Sequence, residues 1–337
     1  MVVSTGWMSV IVVTGGSGHI GSNLVESLIS DGHDVRVVDL RRPPAVAATW
    51  VQLDVRDEAG LRRAFDGASV VYHLAAVISV AGGMRGEVES VNVAGVRSVV
   101  GAALATGVPR LVHCSSIHAF DLATCAGRTV DEESPRSRRR ELPAYDRSKA
   151  AGEVEVQRAV DRGLDAVIVN PTGVIGPGDP DPSRMGVVLR ALWRRRLPAV
   201  VAGGFDWVDV RDAVRALTAA AARGRVGANY LVPGHRHSVA ELARLAERVA
   251  GRRLALRRAV AQPALRACAP LATVVARRWP HPLLPTREAL AALRTFPVVN
   301  GARAAHELGH APRPLQETLD DLYAYFFRGR DQSSAVR

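Results

Sequence analysis

Lysine is almost missing from this chain: of its 44 basic residues one is lysine, Lys149, and the others are arginine. Aromatic residues are scarce too, at 5%, and the arginines are scattered rather than gathered into a stripe. Nucleic-acid surfaces combine clustered basic side chains with stacking aromatics. The net charge of +11 therefore reflects a drift towards arginine and not a nucleic-acid partner. Cysteine occurs three times, at Cys114, Cys125 and Cys268, an odd number without metal-ligand spacing. That argues against a metal site and fits reduced intracellular thiols. No late apolar stretch is long and uncharged enough to span a bilayer; the strongest, 259–276, is broken by Gln262, Pro263, Arg266 and Pro270 and reads as buried helix. The opening residues lack the basic flank and apolar length of a secretory signal, and Met8 is an alternative start. A cytoplasmic protein with a small-molecule substrate and no stable membrane insertion is expected.

Against these absences stands a regular alternation. Short β-branched runs at 10–13, 34–39, 50–54, 69–73, 110–115 and 165–170 are separated by helical patterns near 19–31, 57–66, 87–105 and 144–162. Such alternation predicts an α/β protein, a Rossmann-type doubly wound parallel sheet with helices on both faces. After Asn170 the rhythm breaks in "PTGVIGPGDPDP", and a smaller C-terminal α/β substrate lobe is expected. Brief returns to the sheet are expected at 207–214 and 229–233, and 238–251 reads as a helix with a capping box at Ser238 and Glu241. The expected division is 8–170 plus 207–233 for the sheet domain, 171–206 plus 234–327 for the lobe, and a disordered tail at 328–337.

Residues 14–21 read "TGGSGHIG", which sets Gly15, Gly18 and Gly21 after an apolar strand and at the opening of a helix. Small residues there let the backbone approach a diphosphate, whose charge is met by amides at the positive helix end. Asp39 closes the second strand, where a carboxylate accepts from ribose hydroxyls and repels a 2′-phosphate, favouring NAD. Arg41 and Arg42 could instead clamp that phosphate, so NADP stays open. Asp54 either reaches the adenine amino group or caps a helix.

The single lysine lies in "AYDRSK", four residues after Tyr145. At that spacing both side chains leave one face of a helix. A tyrosine with its ordinary pKa of about 10 carries protons poorly at neutral pH, and a nearby ammonium is expected to lower that value. Lysine also fits between ribose hydroxyls where a planar guanidinium needs more room.

Together, "TGGSGHIG", Asp39, "HLAA" (73–76), "SSIHAF" (115–120), "YDRSK" and "NPTGVIGPGD" resemble the extended short-chain dehydrogenase/reductase family, in order and from about residue 8 to 327. The resemblance implies that Ser116 positions the reacting oxygen, with Ser115 the competing serine, that Tyr145 shuttles the proton, and that Lys149 binds ribose and tunes Tyr145. It implies a cofactor site of Gly15, Gly18, His19, Ile20, Gly21, Asp39, Arg41, Asp54, Val55, Leu74, Ala75, Ala76, Tyr145, Lys149 and Pro171, and a homodimer through the helices at 87–105 and 144–162. Asn92 is expected to fix a helix to the sheet. Candidate substrate residues are Ser79, His118, Phe120, Asn170, Phe205 and Trp207.

Departures from the family pattern choose a branch. Sugar-nucleotide 4,6-dehydratases resemble "TDEVYG" after the fifth strand, with an acidic pair where this chain has Ile117 and His118. Nucleotide-sugar enzymes commonly carry "RDFVHVDD", whose arginine grips the diphosphate; here "FDWVDVRD" puts Phe205 in that place. Losing that anchor and gaining Phe205 and Trp207 predicts a bulky, largely apolar substrate. The segment "GGFDWVDVRDAV" resembles the dihydroflavonol-reductase-like branch, and the expected reaction is hydride transfer between nicotinamide and a carbonyl or secondary alcohol. The alternative is an NDP-sugar epimerase of UDP-hexose type with the same Ser-Tyr-Lys set. It rests on "NPTG", which is similar to the sugar-nucleotide epimerases, where the Asn contacts substrate; Asn170 otherwise satisfies backbone groups at the strand end. His118 is either a wall residue or a second acid/base, and "RSRRR" (136–140) either a solvated loop or a lid.

Overall fold

The computed structural model describes residues 10–45, 47–78, 85–179, 181–197, 200–253, 259–260 and 293–327. Ser79, Cys268, the tail from 328 and most of the expected helix at 259–276 lie outside the described residues. The first β-branched run becomes the middle of the main sheet. Strand β1 (Val10–Thr14) is flanked by β2 (Val35–Asp39) and β4 (Ala68–His73), and the sheet extends through β3 (Thr49–Gln52) on one side. On the other side follow β5 (Arg110–Cys114), β7 (Ala166–Pro171) and β11 (Asn229–Val232). The order is β11-β7-β5-β4-β1-β2-β3 and every pairing is parallel. All six expected strands are present, and 229–233 returns as the seventh.

Strand periodicity divides the core in two. Ile11 and Val13 of β1, with Val167 and Val169 of β7, join the cluster under α1 (His19–Ser30) and α7 (Val210–Arg223). Val12, Ala166 and Ile168 point the other way, towards α2 (Glu58–Ala64), α4 (Val96–Thr106) and α5 (Ala144–Val160). Successive side chains alternate faces, so a continuous apolar run serves both layers. Helix α4 continues α3 (Arg85–Glu89) through a π turn at Ser90–Gly95. By length and composition Gly86–Thr106 could cross a membrane, yet Val96, Val99, Val100, Ala102 and Ala103 are buried in the core below the sheet.

The segment 207–214 departs from expectation. Its strand half belongs to β10 (Gly204–Asp209), which pairs with β8 (Gly173–Ile175) and β12 (His235–Ser238) in a separate three-stranded sheet. The return to the main sheet is made by α7, which packs on α1, β5 and β7. Asp209 turns strand into helix there, its side chain accepting from the Arg211 amide. Two short parallel pairs complete the described strands: β6 (Thr129–Val130) with β14 (Val298–Val299), and β9 (Val200–Val201) with β13 (Ala259–Val260). The expected helix at 259–276 therefore opens as a strand. A third core joins α6 (Arg184–Trp193), α8 (Val239–Val249) and α9 (Leu315–Phe327) to Ile117 and Phe120. Helix α8 has both hydrogen bonds of the expected capping box.

Trp193 is fully buried in this third core, its ring edge-on to Tyr323 at 5.3 Å and its Nε1 donating to Ala246 O at 3.0 Å. Trp193→Ala is expected to cost about 3–5 kcal/mol in denaturant unfolding. A loss under about 1 kcal/mol would mean that the third core unfolds apart from the main sheet.

Candidate active site

The glycines of the loop after β1 do different work. Gly15 has φ +72°, and a Cβ there would lie 2.5 Å from Ala75 N. A Cβ on Gly21 would lie 2.1 Å from Gly15 O. Both are demanded by the protein's own packing. Gly18 is not: it has a negative φ, and an added Cβ would meet only Gly15 O at 3.4 Å. It is also the N-cap of α1, where no side chain caps the helix amides. A bare, unoccupied-by-side-chain helix start beside a glycine with no packing duty fits a diphosphate, so these residues suit NAD. Leu74 N donates to Thr14 O, which carries residues 74–76 alongside Gly15.

Asp39 holds the loop from the end of β2, accepting from the amides of Ser17 and Arg41 at 3.0 Å each. Each carboxylate oxygen keeps a lone pair for a ribose hydroxyl. Arg41 pairs with Asp181 at 2.5 Å, which engages the guanidinium expected to clamp a 2′-phosphate. Asp54 is chelated by Arg56, whose hydrogen bonds hold its carboxyl below the ordinary value. The cap of α2 is Asp57 and not Asp54, accepting from Gly60 N at 2.9 Å. His19 bonds Pro177 O at 3.1 Å, and Ile20 packs into the α1 core. Val55 is buried against Gly95 of the π turn, and Pro171 is buried at the end of β7.

At the C-terminal ends of β4, β5 and β7, three side chains converge. Ser116 caps the short 3₁₀ turn Ile117–Ala119, its Oγ accepting from His118 N, and its side chain lies near enough to the Tyr145 hydroxyl to favour the phenolate. Ser115 turns away and donates to Glu153 Oε1 at 2.7 Å, which separates the two candidate serines. Lys149 is buried on the same face of α5, with Nζ 6.0 Å from the Tyr145 ring centroid and donating to Cys114 O at 3.2 Å. The spacing argument is right about the face and wrong about the electrostatics. Burial drives the Tyr145 phenol above its ordinary value, only partly offset by Ser116, and burial also lowers the Lys149 ammonium. Desolvation of the phenolate outweighs an ammonium that points at a backbone carbonyl.

His118 lies beside Tyr145, ring centroids 5.7 Å apart and edge-on, and stacks on Phe205 at 5.7 Å with 15° between planes. Its Nδ1 is 3.2 Å from Asp146 Oδ1. Burial pulls the imidazole down, but the Asp146 carboxylate more than offsets this and holds it above its ordinary value. Trp207 is buried behind Phe205, ring centroids 5.7 Å apart.

Two substrate candidates are placed elsewhere. Phe120 is fully buried beneath the Arg136 guanidinium, 3.9 Å from its ring, and offers a substrate no surface. Asn170 is fully buried and donates to Ser116 O at 3.1 Å and Glu153 Oε1 at 2.5 Å, while accepting from Asn229. It is a bracket for the serine loop, the backbone-satisfying reading of the sequence. The run 136–140 is exposed at Arg138, Arg139 and Arg140 but pinned at two points: Arg136 meets Glu153 at 3.0 Å and Arg139 meets Asp121 at 2.7 Å. Sequence reasoning missed Glu153 and Asp146; their signal was a carboxylate directly after Tyr145 and another one turn beyond Lys149 on α5. Asn92 clips residues 74–78 to α5, accepting from Val77 N and donating to Val77 O and Ser148 Oγ.

A glycine loop at a helix start, a ribose-side carboxylate and a Ser-Tyr-Lys set at the strand ends define an NAD-dependent enzyme of the extended short-chain dehydrogenase/reductase type. The chain belongs to the NAD dependent epimerase/dehydratase family, matching it over residues 11–232. It is 31% identical over 330 residues to sterol demethylase protein B of Methylococcus capsulatus, covering 94% of this chain and 97% of that one. It is 32% identical over 185 residues to a 3 beta-hydroxysteroid dehydrogenase/Delta 5-->4-isomerase of Mycobacterium tuberculosis, covering 50% of this chain and 48% of that one. Among solved structures it resembles gox2253 with a TM-score of 0.79 at 29% identity, covering 95% and 98% of the two chains. UDP-glucose 4-epimerase of Thermotoga maritima shares the fold, with a TM-score of 0.76 at 22% identity over 95% and 99% of the chains.

Gly18→Ala is expected to leave the melting temperature unchanged and weaken NAD binding at least about tenfold, since the methyl makes only an ordinary contact with Gly15 O and would stand where the diphosphate must approach. Gly21→Ala, with its methyl in backbone, is expected to lower the melting temperature as well. Calorimetric titration with NAD beside thermal unfolding of both variants separates the two effects.

Proposed function

We propose that this protein is an NAD-dependent dehydrogenase/reductase acting on a secondary alcohol or ketone of a bulky, largely apolar substrate of hydroxysteroid type. The observation that carries this reading is Phe205, which stacks on His118 beside Tyr145 where a nucleotide-sugar enzyme of this family would carry its diphosphate-gripping arginine. An aromatic wall recognises a fused-ring hydrocarbon and offers a diphosphate no charge. The names of the sterol demethylase and hydroxysteroid dehydrogenase relatives support the same substrate class. The epimerase alternative rested on Asn170, whose side chain is buried and engaged with Ser116 and Glu153. The division of the chain into sheet domain and lobe, a homodimer through α3, α4 and α5, and a cytoplasmic location belong to this proposal.

NAD supplies the hydride acceptor, and its reduced form the donor. In the reductive direction Ser116 Oγ donates a hydrogen bond to the substrate oxygen and Tyr145 gives that oxygen its proton. Burial keeps the phenol in its protonated form, the form that donation requires, and the Ser116 side chain opposes the upward shift that would make it a weaker acid. Lys149, fixed by Cys114 O, presents its remaining protons to the ribose hydroxyls. In oxidation Tyr145, in its phenolate form, takes the alcohol proton as the hydride leaves carbon.

The purified protein given NAD and a 3β-hydroxysteroid should produce NADH, and Tyr145→Phe should lose about 10²–10⁴-fold in turnover while binding NAD normally. After exhaustive dialysis the protein should have released its cofactor, because a dehydrogenase must exchange it. Stoichiometric NAD surviving dialysis, together with interconversion of UDP-hexoses and no steroid oxidation, would overturn the reading.

A further inference from the structure

Scattered along the sequence, the arginines are not scattered over the fold. Residues 1–170 carry 18 basic and 20 acidic side chains and residues 171–337 carry 26 and 13, so the whole positive excess lies in the second half. Such asymmetry points to an anionic partner. Part of the excess gathers where α6 and α8 end side by side. Arg195 Nη2 donates to Arg253 O at 2.8 Å and Arg252 Nη2 to Trp193 O at 3.1 Å, which ties the residues after one helix to those after the other. Arg190 and Arg194 lie over the rings of Phe326 and Phe327, 5.7 and 5.8 Å from their centroids. Arg194, Arg195, Arg196, Arg252 and Arg253 are exposed, and Arg190 is half-buried. None of these six meets a carboxylate among the described residues: their contacts are carbonyl oxygens and ring faces, which orient a guanidinium without neutralising it. From Arg184 to Leu197 the chain has no acidic residue, and from Leu242 to Arg253 only Glu247, which is itself engaged. Exposed arginines elsewhere do find carboxylates, as Arg62 finds Glu58, Arg97 Glu155 and Arg225 Glu307. The two helix ends together offer about one negative charge, too little for six cations.

We propose that this end of the lobe, the C-termini of α6 and α8 with Arg190, Arg194, Arg195, Arg196, Arg252 and Arg253, docks the protein peripherally on an anionic lipid surface. A nucleic acid needs ring faces free to stack its bases, whereas Phe326 is buried and both neighbouring rings lie against guanidinium groups. Lipid headgroups need cations on apolar stems with rings at the rim, and Tyr323 and Phe327 stand half-buried beside the patch, ring centroids 4.9 Å apart. The contact is guanidinium on headgroup phosphate, and it weakens as salt screens it. Beneath the patch one apolar core joins Trp193 and Phe326 to Phe205 and Trp207. Docking stands on the charge alone; its use, to bring the Phe205 wall to an apolar substrate dissolved in the bilayer, rests on the substrate class proposed above.

Flotation of the full chain with vesicles tests the docking without any substrate. The protein should float with vesicles of phosphatidylcholine and phosphatidylglycerol, stay behind with phosphatidylcholine alone, and let go as salt is raised. Arg194→Gln, Arg195→Gln and Arg196→Gln combined should weaken binding at least about tenfold with the melting temperature unchanged. Arg194→Lys, Arg195→Lys and Arg196→Lys combined keep the charge and should keep most of the binding. Arg63→Gln, Arg128→Gln and Arg162→Gln combined remove the same charge from exposed positions around the main sheet and should leave binding as it was. Equal loss in the two glutamine triples would reduce the effect to net charge and overturn the patch. Absence of flotation, or capture of RNA in preference to vesicles, overturns the lipid assignment. A 3β-hydroxysteroid held in anionic vesicles should be oxidised faster than one held in neutral vesicles, and the Arg194–Arg196 glutamine triple should lose that difference while keeping its turnover on dispersed steroid. Failure to oxidise steroids with flotation intact would fell the substrate class and leave the docking standing.

Discussion

The arrangement of the site depends on one buried carboxylate. Glu153 is 6% exposed, on the inner face of α5 one turn beyond Lys149. It receives hydrogen bonds from Ser115 on the serine loop, from Asn170 at the end of β7, and from the Arg136 guanidinium. A carboxylate so far from water is tolerable only when charge and lone pairs are both met, and here both are. Its three partners belong to three different segments. Removing any of them leaves a charge or a donor stranded, so the serine loop, the strand end and the catalytic helix keep a fixed relation. Through Asn170 and Ser116 O the same network reaches the backbone of the oxygen-positioning residue.

Around that anchor the two sides of Tyr145 differ in kind. One side is polar, buried and tightly bonded, with Ser116, Lys149 and the carbonyl of Cys114. The other is a stack of flat rings, His118 on Phe205 with Trp207 behind. On the function proposed above, the polar side would serve a reacting oxygen and a ribose, whichever substrate is present. On the same function the stacked side, with an aromatic ring where the nucleotide-sugar pattern has arginine, is where substrate classes would be told apart. Gly173 makes this wall possible, since a Cβ there would come within 2.8 Å of the Phe205 ring.

Much of this was legible in the sequence, and what was not has a common cause. β-branched runs name strands because their alternating faces are both buried, so the main sheet could be read from Val10 to Asn170. Periodicity does not say which sheet a strand joins, and "FDWVD" joins a separate three-stranded sheet rather than the main one. The Ser-Tyr-Lys set was legible because a helix converts spacing into a shared face. Phe120 was misplaced because nearness to Ser116 along the chain does not fix where a side chain points, and of the two readings left open for Asn170 its burial supports the backbone-satisfying one. Arg136 and Arg139 looked like a solvated run because their partners, Glu153 and Asp121, are 17 and 18 residues away. The direction of the Tyr145 shift was missed because composition carries no measure of desolvation, and burial won over a charge 6.0 Å away.

The burial of Lys149 gives the molecule a chemical singularity. In a chain whose other Lys/Arg side chains are guanidinium groups, it holds the one ε-amine, on a residue 5% exposed whose Nζ donates to Cys114 O. To reagents that acylate lysine the folded surface presents no target beyond a terminal amine. A protease that cuts only after lysine finds a single bond, inside a helix packed on the sheet. The chain thus has one built-in reporter for amine chemistry, silent while the site is assembled and audible once it opens.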